Sequence, residues 1–272
     1  MPKTNAFSKL AALFLCLAIL LPFATACNAT AMSLSMSPRA MIEETRKAAK
    51  TDKADKTDKD EKPEKDEKPE KPKKCLAITF DDGPGPYTER LLEILAENKC
   101  KATFFVMGYK TSTYKDLIKK MSDQGHQVAG HSWSHPRLTS ISSATVRREL
   151  SDTNNAIFEI TGIRPEFYRA PYGSYNDNVR NVSKELGLAL IQWNIDVLDW
   201  KIRNADNVYK NMMAMAKEGC IFCVHDVHRT TVEAVERAIP DLIAQGYTFV
   251  TISELVGPTK PGMVYYSRDI CK

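Results

Sequence analysis

Five histidines occur in the 272 residues, and two of them, His131 and His135, stand four apart in Gly130-His131-Ser132-Trp133-Ser134-His135-Pro136. That spacing lets two imidazoles converge on one metal ion from a single helical turn. Pro136 keeps such a turn short, and a polar loop with two solvent-facing histidines is the alternative. Asp81 and Asp82 are adjacent carboxylates ahead of Gly83-Pro84-Gly85-Pro86. Aspartate and glycine favour turns, which alone would explain the pair, yet two carboxylates held together repel and a bound cation would relieve that repulsion. Read singly, Arg169 is a strand-end ion-pair partner, and Tyr172 and Trp200 are core aromatics.

Whatever these side chains do, alternating elements must position them. Strand-type runs at 75–80, 102–106, 127–129, 166–168, 188–192, 220–224 and 248–251 are separated mostly by helical patterns. The helices are expected near 87–98, 113–123, 143–161, 176–186, 205–217 and 231–245. Seven strands in this order imply an α/β fold with a mainly parallel sheet, open or closed into a barrel. Reactive groups then belong at the carboxyl ends of strands. Asp81 and Asp82 follow the first strand, His131 the third, Arg169 the fourth, Asp196 and Asp199 the fifth, and His225 the sixth. All fall on one predicted edge.

The formal charge of +4 is unevenly placed. Residues 1–50 hold six Lys/Arg against two Asp/Glu, residues 51–74 nine against nine, and residues 75–272 23 against 23. The region able to fold is neutral, so no nucleic-acid partner is expected. Lys3 and Lys9 precede an apolar run over 10–21, followed by Ala24-Thr25-Ala26. This is the layout of a secretory signal over 1–26, with a run shorter than the ~20 residues that span a bilayer. Cys27 stands where a bacterial lipoprotein carries its lipid, although Ala24 replaces the leucine of a typical lipobox. Of the 24 residues in 51–74, 18 are charged and three are proline, too polar to offset ordering entropy. The expected organisation is a signal at 1–26, a charged disordered linker at 27–74 with membrane attachment through Cys27, and a catalytic domain at 75–272, secreted or held at a bacterial cell surface.

Five segments, taken in order, resemble the motifs of the carbohydrate esterase family 4 polysaccharide deacetylases, or NodB homology family. They are Thr79-Phe80-Asp81-Asp82-Gly83-Pro84, His131 to His135, Arg169-Ala170-Pro171-Tyr172-Gly173, Asp196-Val197-Leu198-Asp199-Trp200, and Val224-His225-Asp226. The resemblance extends over about 75–255 and is nearest to the bacterial peptidoglycan N-acetylglucosamine deacetylases. It implies a deformed (β/α) barrel and a divalent metal on Asp82, His131 and His135, commonly Zn2+, with Co2+, Mn2+ or Ni2+ as alternatives. By residue type alone, two histidines and a carboxylate could equally hold non-haem iron; the hydrolytic residues in the other motifs oppose that reading.

Residue by residue, the resemblance implies Asp81 as the base that activates water and His225 as the acid that protonates the leaving amine. Asp199 would orient His225, Arg169 would orient the base and lower its pKa, and the Tyr172 backbone N–H would stabilise the oxyanion. Tyr172 and Trp200 would line the sugar groove. Cys223 stands where the family has a branched aliphatic in the acetyl-methyl pocket, and Ala170 replaces a frequent proline. His126 is expected to be structural, and Asp196 only to turn its loop. A disulfide between Cys75 and Cys100 is expected from adjacent strands. Cys220 and Cys223 fall on opposite faces of a strand, against joint chelation. The expected function is metal-dependent removal of N-acetyl groups from a cell-wall aminosugar polymer by a monomer. An O-acetyl esterase on xylan and a catalytically silent wall-binding protein are the alternatives.

Overall fold

The computed structural model describes residues 74–272. The export signal, the lipidation site at Cys27 and the linker up to residue 73 lie outside the described residues. Parallel strands β1 (Cys75–Asp81), β2 (Thr103–Val106), β3 (Gln127–Gly130), β4 (Phe167–Tyr168) and β5 (Ala189–Ile191) lie side by side in chain order. On the other side of β1 come β7 (Ile221–His225) and then β6 (Ile195–Asp196). Strand β8 (Thr248–Phe249) also pairs with β1, and β9 (Val264–Ser267) joins β5, with β10 (Ile270–Cys271) antiparallel to it. This mostly parallel sheet curls into a half-barrel with helices, the NodB-like arrangement. The seven expected strands are all present; β6, β9 and β10 are additional, each a short segment without a strong pattern of its own.

Helices α1 (Thr88–Glu97), α2 (Lys115–Asp123), α3 (Ser143–Thr161), α4 (Asp177–Glu185), α6 (Ala205–Met215) and α7 (Arg229–Ala244) fall on the expected segments. The short α5 (Asp199–Ile202) and α8 (Ile252–Val256) were not expected. None of the helices among the described residues is long and apolar enough to cross a membrane.

Period-two alternation divides each strand between two cores. In β1, Leu76, Ile78 and Phe80 pack under the helices, while Ala77 joins an inner cluster with Phe105, Ala129, Phe167, Ile191 and Ile221. Ile252 and Leu255 of α8 close that inner cluster. Continuing the inner phase to the carboxyl ends of the strands reaches Asp81, His131, Arg169, Trp193 and His225. The alternation that builds the core therefore also aims these side chains inward at one end.

The same alternation overturns the expected disulfide. Cys100 is a free thiol, buried in the helix-side core, whereas Cys75 packs against the inner cluster. The two strands are neighbours, but the side chains lie on opposite faces of the sheet. Cys220 and Cys223 separate as expected, with Cys220 in the helix-side core and Cys223 on the inner phase.

Candidate active site

Strand β1 ends at Asp81, and the chain turns sharply at Asp82, whose φ is 67°. Asp82 Oδ1 lies 3.4 Å from His131 Nε2 and 3.2 Å from His135 Nε2. His131 follows β3 directly. Its Nδ1 is 2.9 Å from the Arg169 carbonyl oxygen, which can only accept, so Nδ1 carries a proton and Nε2 is the nitrogen turned toward Asp82.

The two histidines do not converge from a helical turn. The segment after β3 is a loop in which Ser132 and His135 both adopt positive φ, 61° and 62°. The His135 N–H donates to Ser132 Oγ at 3.0 Å. Glu149 of α3 accepts from the backbone N–H groups of Trp133 and Ser134, both at 2.8 Å, and from the Ser134 hydroxyl at 2.7 Å. Among the described residues, four of the seven non-glycine positions with positive φ are Asp82, Ser132, His135 and Tyr172, so backbone strain is concentrated where these side chains meet.

Asp82 Oδ1 is buried and has no hydrogen-bond partner. Burial would raise the Asp82 pKa, but His131 and His135 outweigh it and hold the carboxyl well below the usual range. An orphaned carboxylate oxygen facing two imidazole nitrogens fits a divalent cation, and a set of one carboxylate and two imidazoles leaves positions open for water and substrate.

Asp81 is buried beside this group. Its Oδ1 accepts from Arg169 Nη1 at 2.8 Å, and its Oδ2 lies 3.9 Å from His131 Nε2. Arg169 has no exposed surface. Its remaining donors reach Thr79 Oγ1 at 2.5 Å and the carbonyls of Ile191 and Gln192 at 3.2 and 2.9 Å, while its plane lies 4.1 Å from the centre of the Phe105 ring. A guanidinium held by this many partners fixes one rotamer of Asp81.

His225 ends β7, directly opposite Asp81 in the β1–β7 register. Asp199, fully buried at the start of α5, places Oδ1 3.0 Å from His225 Nδ1. Its Oδ2 accepts the His225 backbone N–H at 2.8 Å and the Thr231 hydroxyl at 2.7 Å. Burial would lower the His225 pKa, but the hydrogen bond and charge of Asp199 overcome it and push it up to about 9. Burial likewise opposes ionisation of Asp199, which His225 and Thr231 nevertheless hold below the usual carboxylate value.

Asp81, Asp82, His131, His135 and His225 line a cavity of about 400 Å³ together with Asp196, Cys223, Trp193, Tyr172 and Trp200. Tyr172 and Trp200 are exposed rings beside it. Tyr172 stands edge-on to His135 at 4.6 Å, with Arg137 stacked 4.8 Å from its centre. Cys223 Sγ is 3.5 Å from Asp81 Oδ2. Burial, then the nearby charge of Asp81, pushes that thiol well above its ordinary pKa.

Asp196 accepts the Leu198 N–H at 2.8 Å, turning its loop as expected. His126 is buried, its Nδ1 accepting from the Ala102 N–H at 3.2 Å, and burial lowers its pKa to about 4, consistent with a neutral structural residue. The sequence reading missed Thr79, Glu149, Gln192, Trp193 and Thr231, which touch the expected residues through tertiary packing. Only Thr79 and Trp193 carried a signal, as inner-phase positions on or just after strands that end in the site.

Residues 68–191 match the family model described as polysaccharide deacetylase. Over 185 residues the chain is 43% identical to the peptidoglycan-N-acetylglucosamine deacetylase PgdA of Listeria monocytogenes, which covers 68% of this chain but 39% of that protein. It thus spans well under half of that relative. It is 36% identical over 189 residues to the peptidoglycan-N-acetylmuramic acid deacetylase PdaA of Bacillus subtilis, covering 68% and 72% of the two chains. Among solved structures, a family 4 acetyl xylan esterase from Clostridium thermocellum, in complex with a cobalt ion, superposes with a TM-score of 0.68 at 31% identity, covering 72% of this chain and 100% of that one.

Proposed function

The chain belongs to the polysaccharide deacetylase family, and on that premise we propose that it hydrolyses the N-acetyl groups of a cell-wall aminosugar polymer, N-acetylglucosamine of peptidoglycan foremost, releasing acetate. One observation carries the reading. An arginine-held carboxylate, Asp81, and a carboxylate-held imidazole, His225, flank the Asp82, His131 and His135 group in a single cavity.

Amide hydrolysis needs a base to take a proton from water and an acid to give one to the departing amine. Asp81 suits the first task because Arg169 fixes it through Oδ1 and leaves Oδ2 facing the cavity. His225 suits the second because its pKa of about 9 leaves it protonated at neutral pH. Asp82, His131 and His135 would hold a divalent metal, Zn2+ or a close relative, which when bound supplies Lewis-acid polarisation of the acetyl carbonyl and of water. The Tyr172 backbone N–H is assigned to the developing oxyanion, and the exposed Tyr172 and Trp200 rings to the sugar faces. Cys223 is assigned to the acetyl-methyl pocket as a small hydrophobe.

The export signal and charged linker read in residues 1–74 support placing this activity outside the cytoplasm, at the cell surface, with Cys27 as the lipid attachment point. The likeness to an acetyl xylan esterase supports O-acetyl hydrolysis as a second reading. Acetate release from N-acetylated peptidoglycan, chitooligomers and acetylated xylan, with and without a chelator, separates them. Chelator-sensitive release from the aminosugar polymers is expected; release from xylan alone would replace the reading with the esterase.

A further inference from the structure

We infer that Asp81, Cys223 and His225 form a second metal position in the same cavity, suited to a soft divalent ion such as Cd2+ or Zn2+ in excess, whose occupancy blocks hydrolysis. One ligand atom from each residue lies within 4.8 Å of the other two. The orientations of Asp81 and His225 are already set by partners on their far sides. Arg169 holds Asp81 through Oδ1 and leaves Oδ2 facing the thiol at 3.5 Å. Asp199 holds His225 through Nδ1 and leaves Nε2 for a ligand. Cys223 lies on the same inner phase of β7, opposite Thr79, two residues before His225, which lies opposite Asp81.

Sulfur, imidazole nitrogen and carboxylate oxygen together make a donor set that favours zinc and softer ions over Mg2+ or Ca2+. The Asp82, His131 and His135 group has no sulfur, so the two positions differ in softness. With an aliphatic residue in place of Cys223 only two donors would remain. Binding requires the thiol and the imidazole each to release a proton to solvent. Once Asp81 and His225 are ligands, neither can transfer a proton to or from substrate, which makes the position inhibitory. The inhibition rests on the deacetylase reading; the existence of the metal position does not.

The test titrates the metal-free full chain with Cd2+, counting bound ions by equilibrium dialysis and following the ultraviolet thiolate-to-cadmium absorption. Two ions per chain are expected. His135→Ala should lose one ion and keep the absorption. Cys223→Val should lose one ion together with the absorption, and Cys223→Ser, closest in size, repeats the test should the valine variant fail to fold. Cys271→Ser, at an exposed cysteine, should lose neither. A single bound ion in the unaltered chain, or an absorption that survives in both Cys223 variants, overturns the second position. With the metal-loaded chain on N-acetylated peptidoglycan, Zn2+ beyond the first equivalent should suppress acetate release. Two bound ions without suppression overturn the inhibitory role, whereas two bound ions with no acetate release under any condition overturn the deacetylase reading and leave the metal position standing.

Discussion

Asp199 holds His225 at two points, through Nδ1 at 3.0 Å and through the backbone N–H of the same residue at 2.8 Å. The carboxylate therefore fixes both where the imidazole sits and which nitrogen faces the cavity. The charge that orients the ring also raises its pKa to about 9 from the ordinary 6.5.

The raised value gives a signed pH prediction. Protonated His225 stabilises the fold fully below about pH 6.5, and that contribution is lost as pH rises through about 9. Asp199, held below its ordinary 3.8, contributes stability above that value which is lost as pH falls through its lower folded value. Asp199→Asn should move the alkaline limb of the activity profile from near 9 toward 6.5 and lower kcat by about 10²-fold or more. Profiles of kcat/KM and urea unfolding on both sides of that window check it; an unmoved limb would assign the ionisation to another group.

Arg169 is wholly buried and spends its donors on Asp81, Thr79 and two strand-end carbonyls. Arg169→Met should cost about 3–5 kcal/mol because it leaves the buried Asp81 carboxylate without its counter-charge. Denaturant midpoints measure this. A loss confined to activity, with stability unchanged, would mean that the Arg169–Asp81 pair does not support the fold.

Gly83 has no room for a side chain. A Cβ there would come within 2.8 Å of the Asp226 carboxylate atoms, and Asp226 is itself fully buried, with Thr88 donating its hydroxyl to Oδ2. Gly83→Ala should therefore destabilise by about 1–3 kcal/mol and displace the neighbouring Asp82, weakening metal binding. Thermal unfolding and metal content together check this; an alanine variant with normal stability and full metal occupancy would contradict it.

Glu149 ties down the loop between His131 and His135 through two backbone N–H groups and the Ser134 hydroxyl. Glu149→Ala should lower metal affinity by about 10–100-fold with the helical fold intact. Competition against a chelating dye, with circular dichroism alongside, reads both quantities.

Much of this site could be read from sequence because the alternation of elements and the motifs coincide. The alternation of strands and helices placed the carboxyl ends and the five motifs placed Asp81, His131, Arg169 and His225 there, while the shared inner phase of these residues emerges from the sheet itself. Short elements carried no such pattern. β6 has two residues and α5 four, so the segment bearing Asp196 and Asp199 read as loop. β9 is placed by a non-local pairing with β5. The Cys75 and Cys100 expectation failed because adjacency of strands was considered and the face of each side chain was not. Glu149 lies in a helix, where a charged residue reads as a solvated face, and only the fold brings it to the metal-binding loop.

The central claim is tested most directly by following acetate and free amine together from N-acetylated peptidoglycan, comparing the metal-loaded chain with its Asp81→Asn variant. Equal amounts of acetate and new amino groups are expected from the unaltered chain, falling about 10²–10⁴-fold in the variant while bound metal is retained. Acetate without matching amine, or undiminished release by the variant, would contradict the account.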